Sequence, residues 1–481
     1  MPASLKNIPL TLAYDDVLLV PQRSRIEHRA DASTETFLTS KIKLSLPFLS
    51  ANMDTVTESA MAIAMARAGG LGIIHRFMTI EDQVKEVDKV TRHDGFFIEE
   101  PYTIRPDKPV RQIIEQISLS GISSYLVVDE KKKLLGLVSR RDVIFENKHN
   151  KTAEQVMTPV KDLVTAKPSI TKEKAKKIFA KHKVEKLPVI DGKGVLQSLI
   201  TARSIENYEQ EPLATKDSNG RLRCGAAVGV VGDFLERAGA LLKAGADVLV
   251  VDVAHGQNQV SLKAVKKLRK TYPKAQIIGG NVATAQGVKD LIRAGVDAVK
   301  IGIGPGGICS TRVVTGVGVP QFSAIMECAE AVKGTKVKLI ADGGTNYPGD
   351  IAKALAAGAH TVMLAGWFAG TNESPGEIIV RNNRMFKVHR GSASFSSQVD
   401  RAVRSGNLKE GLNTIVAEGV ESLIEYKGGV ADIVYQLLGS LRSAMSYCNA
   451  NSISELQKNA KFVRITTAGF RESKTHNVDE I

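Results

Sequence analysis

One pattern occurs three times in the chain: an Ala-Gly pair followed by a short run of apolar residues. The three copies are Ala244–Asp252, Ala294–Gly302 and Ala357–Ala365, and a helix-like stretch precedes each of them. Glycine directly after a helix suits the left-handed conformation of a helix end. A short run that is apolar on both sides is typical of a buried parallel strand. The pattern therefore predicts a parallel sheet covered by helices.

Further apolar runs extend this alternation of strands and helices. They are Leu49–Ala51, Leu71–Ile74, Val228–Val230, Ile277–Gly279 and Lys338–Ala341. Together with the three repeats, they favour an α/β fold of the (β/α)8 TIM-barrel type over an open doubly wound sheet. In such a barrel, the residues that follow the strands converge on one mouth, where the active site forms.

The region of residues 99–211 interrupts the barrel pattern. It contains two similar units, at residues 102–142 and 163–203, and self-similarity at a period of about 60 residues predicts a paired module. An unrelated α/β insertion is the alternative. We therefore expect the barrel to be formed by residues 1–98 and 212–481. The second of these segments also contains an active-site flap at about residues 386–428 and a C-terminal segment.

Composition narrows the class of protein. The chain has 481 residues and a net charge of +14, but its lysines are scattered and only 5% of its residues are aromatic. A nucleic-acid surface needs clustered basic residues with interleaved aromatics, so we expect no dedicated nucleic-acid site. We interpret the charge as a solvated surface whose field helps to gather anionic nucleotides.

The sequence carries no signal for a membrane or for secretion. No apolar run reaches the ~18 residues of a transmembrane helix, and the first residues lack the apolar segment of a signal peptide. The cysteines are widely separated, at Cys224, Cys309, Cys328 and Cys448. Without a Cys-x-x-Cys pair, neither a zinc site nor a disulfide framework is indicated. We expect a cytoplasmic protein.

The glycine-rich segment Gly302–Thr311 carries the clearest chemical signal. Its small and turn-forming residues allow the backbone to approach a ligand. Cys309 stands at its end, where a thiolate could attack an electrophilic carbon. A buried structural cysteine is the alternative, and the predicted position at the barrel mouth favours the nucleophile. The segment matches Gly-x-Gly-x-x-Gly spacing, but it lacks the strand-helix context of a dinucleotide-binding fold, which we therefore reject.

Polar residues after other strands complete a candidate nucleotide site. A carboxylate at Asp342 suits paired ribose hydroxyls, and Asp252 and Asn281 could orient a second ligand. A helix that begins after Ala365-Gly366 could hold a phosphate. A structural cap in a loop is the alternative for each of them.

These residues resemble the family of inosine-5′-monophosphate (IMP) dehydrogenase and GMP reductase. The likeness runs over nearly the whole chain and includes Ala51–Glu58, Val251–Gly256, the Cys309 loop with Thr315–Gln321, and Ala341–Gly344. The cysteine loop and the Ala-Asp-Gly-Gly motif are highly specific in combination. The pair of units in residues 99–211 looks like tandem CBS modules, which in such enzymes often bind adenine or guanine nucleotides.

The resemblance implies NAD-dependent oxidation of IMP to XMP through a covalent adduct on Cys309. Thr311 and Arg404 would act with Cys309 in catalysis, Arg404 as the base that activates water. The resemblance places the substrate against Asp342, Gly343, Gly344, Gly307, Ala365, Gly366, Ser50, Met53 and Glu418. It places the cofactor against Asp252, Asn281, Gly302 and Gly304.

The resemblance also implies a potassium ion and an oligomer. Gly304, Gly306 and Cys309 resemble a potassium site that Glu472 and Ser473 of the partner subunit would complete. A homotetramer or an octamer is therefore expected.

Several positions depart from the dehydrogenase pattern. Ser405 follows Arg404 where dehydrogenases carry tyrosine, and Gly307 replaces a phosphate-contacting serine. Ala365-Gly366 replaces Gly-Ser, and His389–Ser392 reads His-Arg-Gly-Ser where Tyr-Arg-Gly-Met is usual. The contacts to phosphate and base are therefore weakened or rearranged.

These departures leave two alternatives open. GMP reductase converts GMP to IMP and ammonia with NADPH and needs no water-activating flap; Ala51–Asp54 and Arg442–Tyr447 resemble reductases. Val313–Val319, Ala468–Ser473 and the retained Arg404 favour the dehydrogenase. The second alternative is an inactive nucleotide-sensing paralogue, which the intact Cys309, Thr311 and Asp342 argue against.

Overall fold

The structure is a computed structural model that describes residues 8–93, 97–98, 101–120, 122–144, 151–404 and 416–475. The chain forms two compact units. The first consists of Met1–Thr91, Leu213–Thr215 and Leu222–Ile481, and the second of Arg92–Pro212 and Lys216–Arg221.

The first unit is built on a closed barrel of eight parallel strands. In chain order the strands are β1 (Phe48–Ser50), β2 (Leu71–Ile74), β3 (Cys224–Val228), β4 (Val248–Val251), β5 (Gln276–Val282), β6 (Ala298–Ile301), β7 (Lys338–Asp342) and β8 (Thr361–Leu364). The helices are α1 (Ser59–Ala68), α2 (Ile80–Thr91), α3 (Phe234–Lys243), α4 (Gln259–Thr271), α5 (Ala285–Ala294), α6 (Gln321–Val332), α7 (Pro348–Ala356) and α8 (Val430–Tyr447). The predicted (β/α)8 barrel is confirmed.

The strands are mostly apolar because both of their faces are covered. Inward side chains such as Ile73, Val250 and Ile340 fill the barrel interior, while outward ones such as Leu249 and Leu339 pack in the larger core that contains the helices. The hairpin of Thr36–Thr39 and Ile42–Leu44 contributes Leu38, Ile42 and Leu44 to the interior cluster. Thr36 Oγ1 donates to the carbonyl of His360, which directly precedes β8 (2.8 Å). The hairpin therefore closes the end of the barrel opposite the strand carboxyl ends.

His360 at this closed end is expected to make stability depend on pH. Its Nδ1 accepts a hydrogen bond from the N–H of Leu339 (3.2 Å), and burial, with a further effect of Lys338, lowers its pKa from 6.5 to about 4. Between these two pH values the unfolded chain binds a proton that the folded chain does not. Stability is therefore lost as pH falls, by about 2 kcal/mol between pH 7 and pH 5. Urea unfolding should show this loss, and His360→Gln should remove it; an equal loss in the variant would contradict the assignment.

The second unit repeats one order of elements: a helix, an antiparallel strand pair and a second helix. In the first copy these are Val110–Ser120, Ser124–Val128 with Leu134–Ser139, and Arg140–Ile144. In the second copy they are Lys172–His182, Lys186–Ile190 with Leu196–Thr201, and Ala202–Gln210. The strands Thr103–Ile104 and Thr158–Pro159 and the helix Ala153–Val156 complete the unit. The CBS character of this pair, and the domain limits built on it, stay predictions.

The segment after β8 forms a three-stranded antiparallel sheet, which we call the flap sheet: Ile379–Arg381, Arg384–Arg390 and Glu421–Glu425. The helix Phe395–Arg404 lies between its last two strands in the sequence. After α8 the chain forms the helix Ile453–Asn459, the strand Phe462–Arg464, which pairs with Val17–Leu19, and the helix Thr467–Glu472. None of the described helices is long and apolar enough to span a membrane.

Candidate active site

A cavity of about 540 Å³ lies at the carboxyl ends of the barrel strands. The residues that follow β1, β2, β4, β6, β7 and β8 contribute to its wall, as does Asn281 near the end of β5. The flap sheet and the segments next to its last two strands contribute most of the rest. This is where (β/α)8 barrels place their active sites.

Cys309 forms a short polar chain with Thr311 and Glu418 inside this cavity. The Cys309 sulfur is 3.2 Å from Thr311 Oγ1, and Thr311 Oγ1 donates to the Glu418 carboxylate (2.9 Å). The N–H of Ser310 donates to the carbonyl of Glu418 (2.9 Å), which ties the cysteine loop to the segment that leads into the last strand of the flap sheet. The hydroxyl can therefore accept a hydrogen bond from the thiol while it donates one to the carboxylate.

At two positions of the cysteine loop, the backbone conformation and close contacts leave no room for a side chain. Gly302 has φ 143° and Gly304 has φ 75°. A Cβ at Gly302 would lie 2.2 Å from the carbonyl oxygen of Asp342, and one at Gly304 would lie 2.5 Å from Arg312 Cγ. Arg312 supports the loop, because its Nε donates to the carbonyl of Ile303 (3.1 Å).

Asp342, on the same cavity wall, is held by two donors that use the same oxygen. Lys300 Nζ and Asn281 Nδ2 donate to Asp342 Oδ2 (2.6 and 2.8 Å). Asn281 also donates to the carbonyl of Gly302 (2.8 Å). Among the described residues Oδ1 has no partner, so it is available to the hydroxyls of a sugar.

Asp252 is a second anchored carboxylate of the cavity. It accepts hydrogen bonds from Arg76 Nε and Asn52 Nδ2, both at 2.9 Å. Burial opposes its ionisation, but Arg76 and then Lys300 outweigh that effect and hold the pKa of Asp252 below its ordinary value. Lys300 thus acts on both carboxylates, and the charges of Asp342, Lys300, Asp252 and Arg76 alternate in sign.

Most of the residues predicted from the sequence line this single cavity. They are Met53, Asp252, Asn281, Gly302, Gly304, Gly306, Gly307, Cys309, Thr311, Asp342, Gly343, Gly344, Ala365, Gly366 and Glu418. Their individual roles stay predictions.

Three predicted residues are placed elsewhere, and the side chain of a fourth lies outside the described residues. Ser50 is fully buried at the end of β1, and its Oγ accepts a hydrogen bond from Thr57 Oγ1 (2.8 Å). Glu472 and Ser473 lie at the end of the helix Thr467–Glu472, which packs against Tyr14–Asp16, and neither lines the cavity. The backbone of Arg404 ends a helix, but its side chain lies outside the described residues, as does Ser405.

A potassium site is only partly provided by the residues present. The cysteine loop offers main-chain oxygens, one of which, on Gly306, accepts the N–H of Cys309 (3.0 Å). Because Glu472 and Ser473 of the same chain lie away from the cavity, the site would need a second copy of the chain, and it stays a prediction.

Sequence reasoning missed Asn52, Arg76, Lys300 and His389, all of which line the cavity. Lys300 had a detectable signal, because it is the one charged residue in the otherwise apolar strand Ala298–Ile301. Arg76 lies two residues after the end of β2, where residues of the barrel mouth are expected.

A cysteine and anchored carboxylates around one mouth define the class: a (β/α)8-barrel enzyme. The chain matches the family model described as IMP dehydrogenase / GMP reductase domain over residues 11–476. It belongs to the IMP dehydrogenase / GMP reductase family, whose members are purine-nucleotide oxidoreductases. The resemblance inferred from the sequence is confirmed.

Similar proteins carry both names of the family. Inosine-5′-monophosphate dehydrogenase of Nitrosopumilus maritimus is 50% identical over 470 residues, which cover 97% of this chain and 98% of that protein. GMP reductase of Leishmania donovani is 45% identical over 489 residues, covering 99% of each chain. The crystal structure of a Trypanosoma brucei GMP reductase variant with guanosine 5′-monophosphate has a TM-score of 0.91 at 42% identity, covering 98% of this chain and 99% of that one.

Proposed function

We propose that this protein is an IMP dehydrogenase, which oxidises IMP to XMP with NAD⁺ through a covalent bond to Cys309. The observation that carries the proposal is the placement of the Cys309 sulfur beside Thr311 and Glu418 in the same cavity as Asp342. Relatives named inosine-5′-monophosphate dehydrogenase, at 50, 48 and 47% identity, support this direction of the reaction.

The proposed reaction has two stages. The Cys309 thiolate adds to C2 of IMP, and a hydride leaves C2. NAD⁺, when bound, supplies the hydride acceptor. Water then adds to C2, the carbon–sulfur bond breaks, and XMP and the thiolate are released. Covalent capture divides one difficult conversion into two steps with lower barriers.

The other residues of the cavity bind and orient the reactants in this proposal. Thr311 takes part in proton transfer at the reacting carbon, with Glu418 as its hydrogen-bond partner. Asp342 binds the ribose through Oδ1. The anchored anion of Asp252, with Asn281, lies by the nicotinamide.

GMP reductase activity is the second candidate. The Thr311–Glu418 pair beside Cys309 suits protonation of an amine that leaves C2 of GMP as ammonia, before C2 accepts a hydride from NADPH. The fold match to a GMP reductase and the serine at position 405 add support.

One assay separates the candidates. The purified protein is given IMP with NAD⁺ and, separately, GMP with NADPH, and the absorbance of the reduced cofactor is followed. We expect NADH to form from IMP. Consumption of NADPH with GMP alone would select the reductase. No change in absorbance in either assay, with retained nucleotide binding, would select the inactive sensor.

Arg404→Ala should slow hydrolysis of the adduct without slowing its formation. A general base contributes about 10²- to 10⁴-fold to such a step, so the steady-state rate of XMP release should fall by about 100-fold or more. Stopped-flow absorbance should then show a burst of NADH close to the enzyme concentration. Arg401→Ala, on the same helix, is the matched control. Unchanged XMP release in Arg404→Ala would remove Arg404 from the mechanism.

We further propose that residues 99–211 form a tandem CBS pair that binds adenine or guanine nucleotides, since the order of elements is repeated in this region. The proposed working form is a homotetramer or an octamer. In it, potassium is held by the loop of Gly304, Gly306 and Cys309, with Glu472 and Ser473 of the partner subunit.

A further inference from the structure

Gln321 is a buried polar side chain that stands behind the cavity rather than in its wall. It is the first residue of α6, it is 2% exposed, and it does not line the cavity. Its Nε2 donates to the carbonyl of Ile301 (2.9 Å) and to the carbonyl of Asp342 (3.2 Å). A primary amide has two N–H donors, so both are used. Because both neighbours are acceptors, the nitrogen of the amide must face them.

The two carbonyls belong to the ends of adjacent strands. Ile301 is the last residue of β6 and directly precedes the cysteine loop, and Asp342 is the last residue of β7. The pairing of these strands extends to Ile301 and Ala341. The Gln321 amide therefore joins the strands at the point where their pairing ends and the two loops begin. One side chain thus connects the base of the Cys309 loop to the carboxylate that is proposed to bind the ribose.

The space around this amide is filled. A Cβ at Gly302 would lie 3.1 Å from Gln321 Nε2 and 2.2 Å from the carbonyl oxygen of Asp342. A Cβ at Gly344 would lie 3.5 Å from Gln321 Cβ and 3.4 Å from Cε2 of Tyr14. The loops after β6 and β7 therefore both pack close to Gln321, which leaves little room for either loop to move toward it.

The start of α6 is itself held in place by the N-terminal segment. The N–H of Leu12 donates to Ser323 Oγ (2.8 Å), and the N–H of Ser323 donates to the carbonyl of Leu12 (3.1 Å). Lys353 Nζ, from α7, donates to the carbonyl of Tyr14 (2.9 Å). The side chain of Gln321 therefore extends from an anchored backbone. A supporting residue held in this way can fix the geometry of a site that it does not touch.

We propose that Gln321 is a positioning residue for the covalent step. By joining the carbonyls of Ile301 and Asp342, it keeps the Cys309 sulfur at the distance from Asp342 at which a nucleotide held by its ribose presents C2 to the sulfur. This inference rests on the covalent bond and the ribose contact of the proposed function, but not on the direction of the reaction. A misplacement of about 1 Å between reacting groups can cost about 100-fold in rate.

Gln321→Met tests this role, because methionine approximates the size of the side chain and removes both N–H donors. Intact-protein mass spectrometry after acid quench follows adduct formation in a single turnover, with saturating IMP and NAD⁺ or GMP and NADPH. We expect the rate to fall about 10- to 100-fold. Alkylation of Cys309 by iodoacetamide, which needs no bound nucleotide, should change by less than about threefold. Gln276→Met, which alters another buried glutamine, at the start of β5, should leave both rates unchanged.

A double-mutant cycle with Asp342→Ala separates positioning from a merely structural role. Without the Asp342 carboxylate, the ribose is no longer fixed relative to the sulfur. Loss of the Gln321 hydrogen bonds should then slow adduct formation by less than about threefold in that background. A structural role would give the same factor in both backgrounds, because independent effects are additive in free energy. If Gln321→Met does not fold, Gln321→Glu keeps the shape of the side chain, has at most one donor, and enters the same cycle.

Three results would overturn the proposal. The first is an unchanged rate of adduct formation in the Gln321 variant. The second is an equal effect of that variant with and without the Asp342 carboxylate. The third is a matching loss of alkylation, which would mean that the variant alters the sulfur and not its distance from Asp342. Absence of an adduct in the parent protein would refute the proposed function itself, whereas these three results would refute the role of Gln321 alone.

Discussion

Replacement of Cys309 by alanine is expected to abolish turnover of either nucleotide, with kcat at least about 10⁴-fold lower, while nucleotide binding persists. The sulfur is the atom that would bond to C2, and neither Thr311 nor Glu418 can replace it as the nucleophile. Intact-protein mass spectrometry after rapid acid quench should show the nucleotide adduct in the parent enzyme and not in the variant. Appreciable turnover by Cys309→Ala would refute the covalent role.

Cys328 provides the matched control for this experiment. It is fully buried in α6, and burial, with a smaller effect of Glu327, raises the pKa of its thiol to about 12. Its thiolate is therefore scarcely populated, whereas Cys309 is exposed in the cavity. Cys328→Ala should keep its kcat within about threefold and lose stability instead, because it removes a buried sulfur atom. Loss of turnover in both variants at equal folded content would mean that the effect is not specific to Cys309.

The barrel could be predicted because its evidence is local. An Ala-Gly helix end and a doubly buried apolar strand are both readable within about ten residues, and Leu71–Ile74 was predicted with the bounds that the structure has. The run predicted at Val228–Val230 is displaced, since the strand is Cys224–Val228. Gly225, Ala226 and Ala227 are too small to stand out as a hydrophobic run, although they pack well where strands and helices approach closely.

The hairpin at the closed end and the flap sheet were not predicted from the sequence as strands. The hairpin strands are only four and three residues long. The edge strand Ile379–Arg381 is exposed at all three of its residues. Such strands are set by what they pack against rather than by periodicity, so the sequence signal is weak.

The residues of the candidate site show the same difference between local and long-range signals. Cys309 and Asp342 were found because each stands in a local glycine-rich motif at or after the end of a strand. Asn52 was missed because its significance is its contact with Asp252, a residue 200 positions away. His389 was noted only as a departure from the family pattern, and its place in the cavity wall becomes visible only in three dimensions. Partners distant in sequence cannot be read from one sequence alone.

Lys300→Met is expected to raise the KM for the nucleotide about 100-fold, with a smaller effect on kcat. Lys300 is 5% exposed, and it holds Asp342 through a 2.6 Å contact that fixes Oδ2 and leaves Oδ1 free. Removal of one partner of a buried ion pair leaves the other charge uncompensated. Asn281 would remain as the single donor to Asp342, and the free energy of unfolding should fall by about 2 kcal/mol. Steady-state kinetics and urea unfolding measure the two effects separately.

The pH profile distinguishes a positioning role of Lys300 from a merely structural one. The positive charges of Arg76 and then Lys300 overcome burial and keep the pKa of Asp252 low, so Lys300→Met should raise that pKa. The acidic limb of kcat/KM for the cofactor should then move to higher pH. Lys300→Arg keeps the charge and should restore the limb even if the KM for the nucleotide stays high, because a guanidinium cannot reproduce the ammonium contact. Lys289→Met, which removes an exposed lysine of α5, controls for net charge. An unmoved acidic limb in Lys300→Met would mean that Lys300 serves Asp342 alone and does not link the two carboxylates.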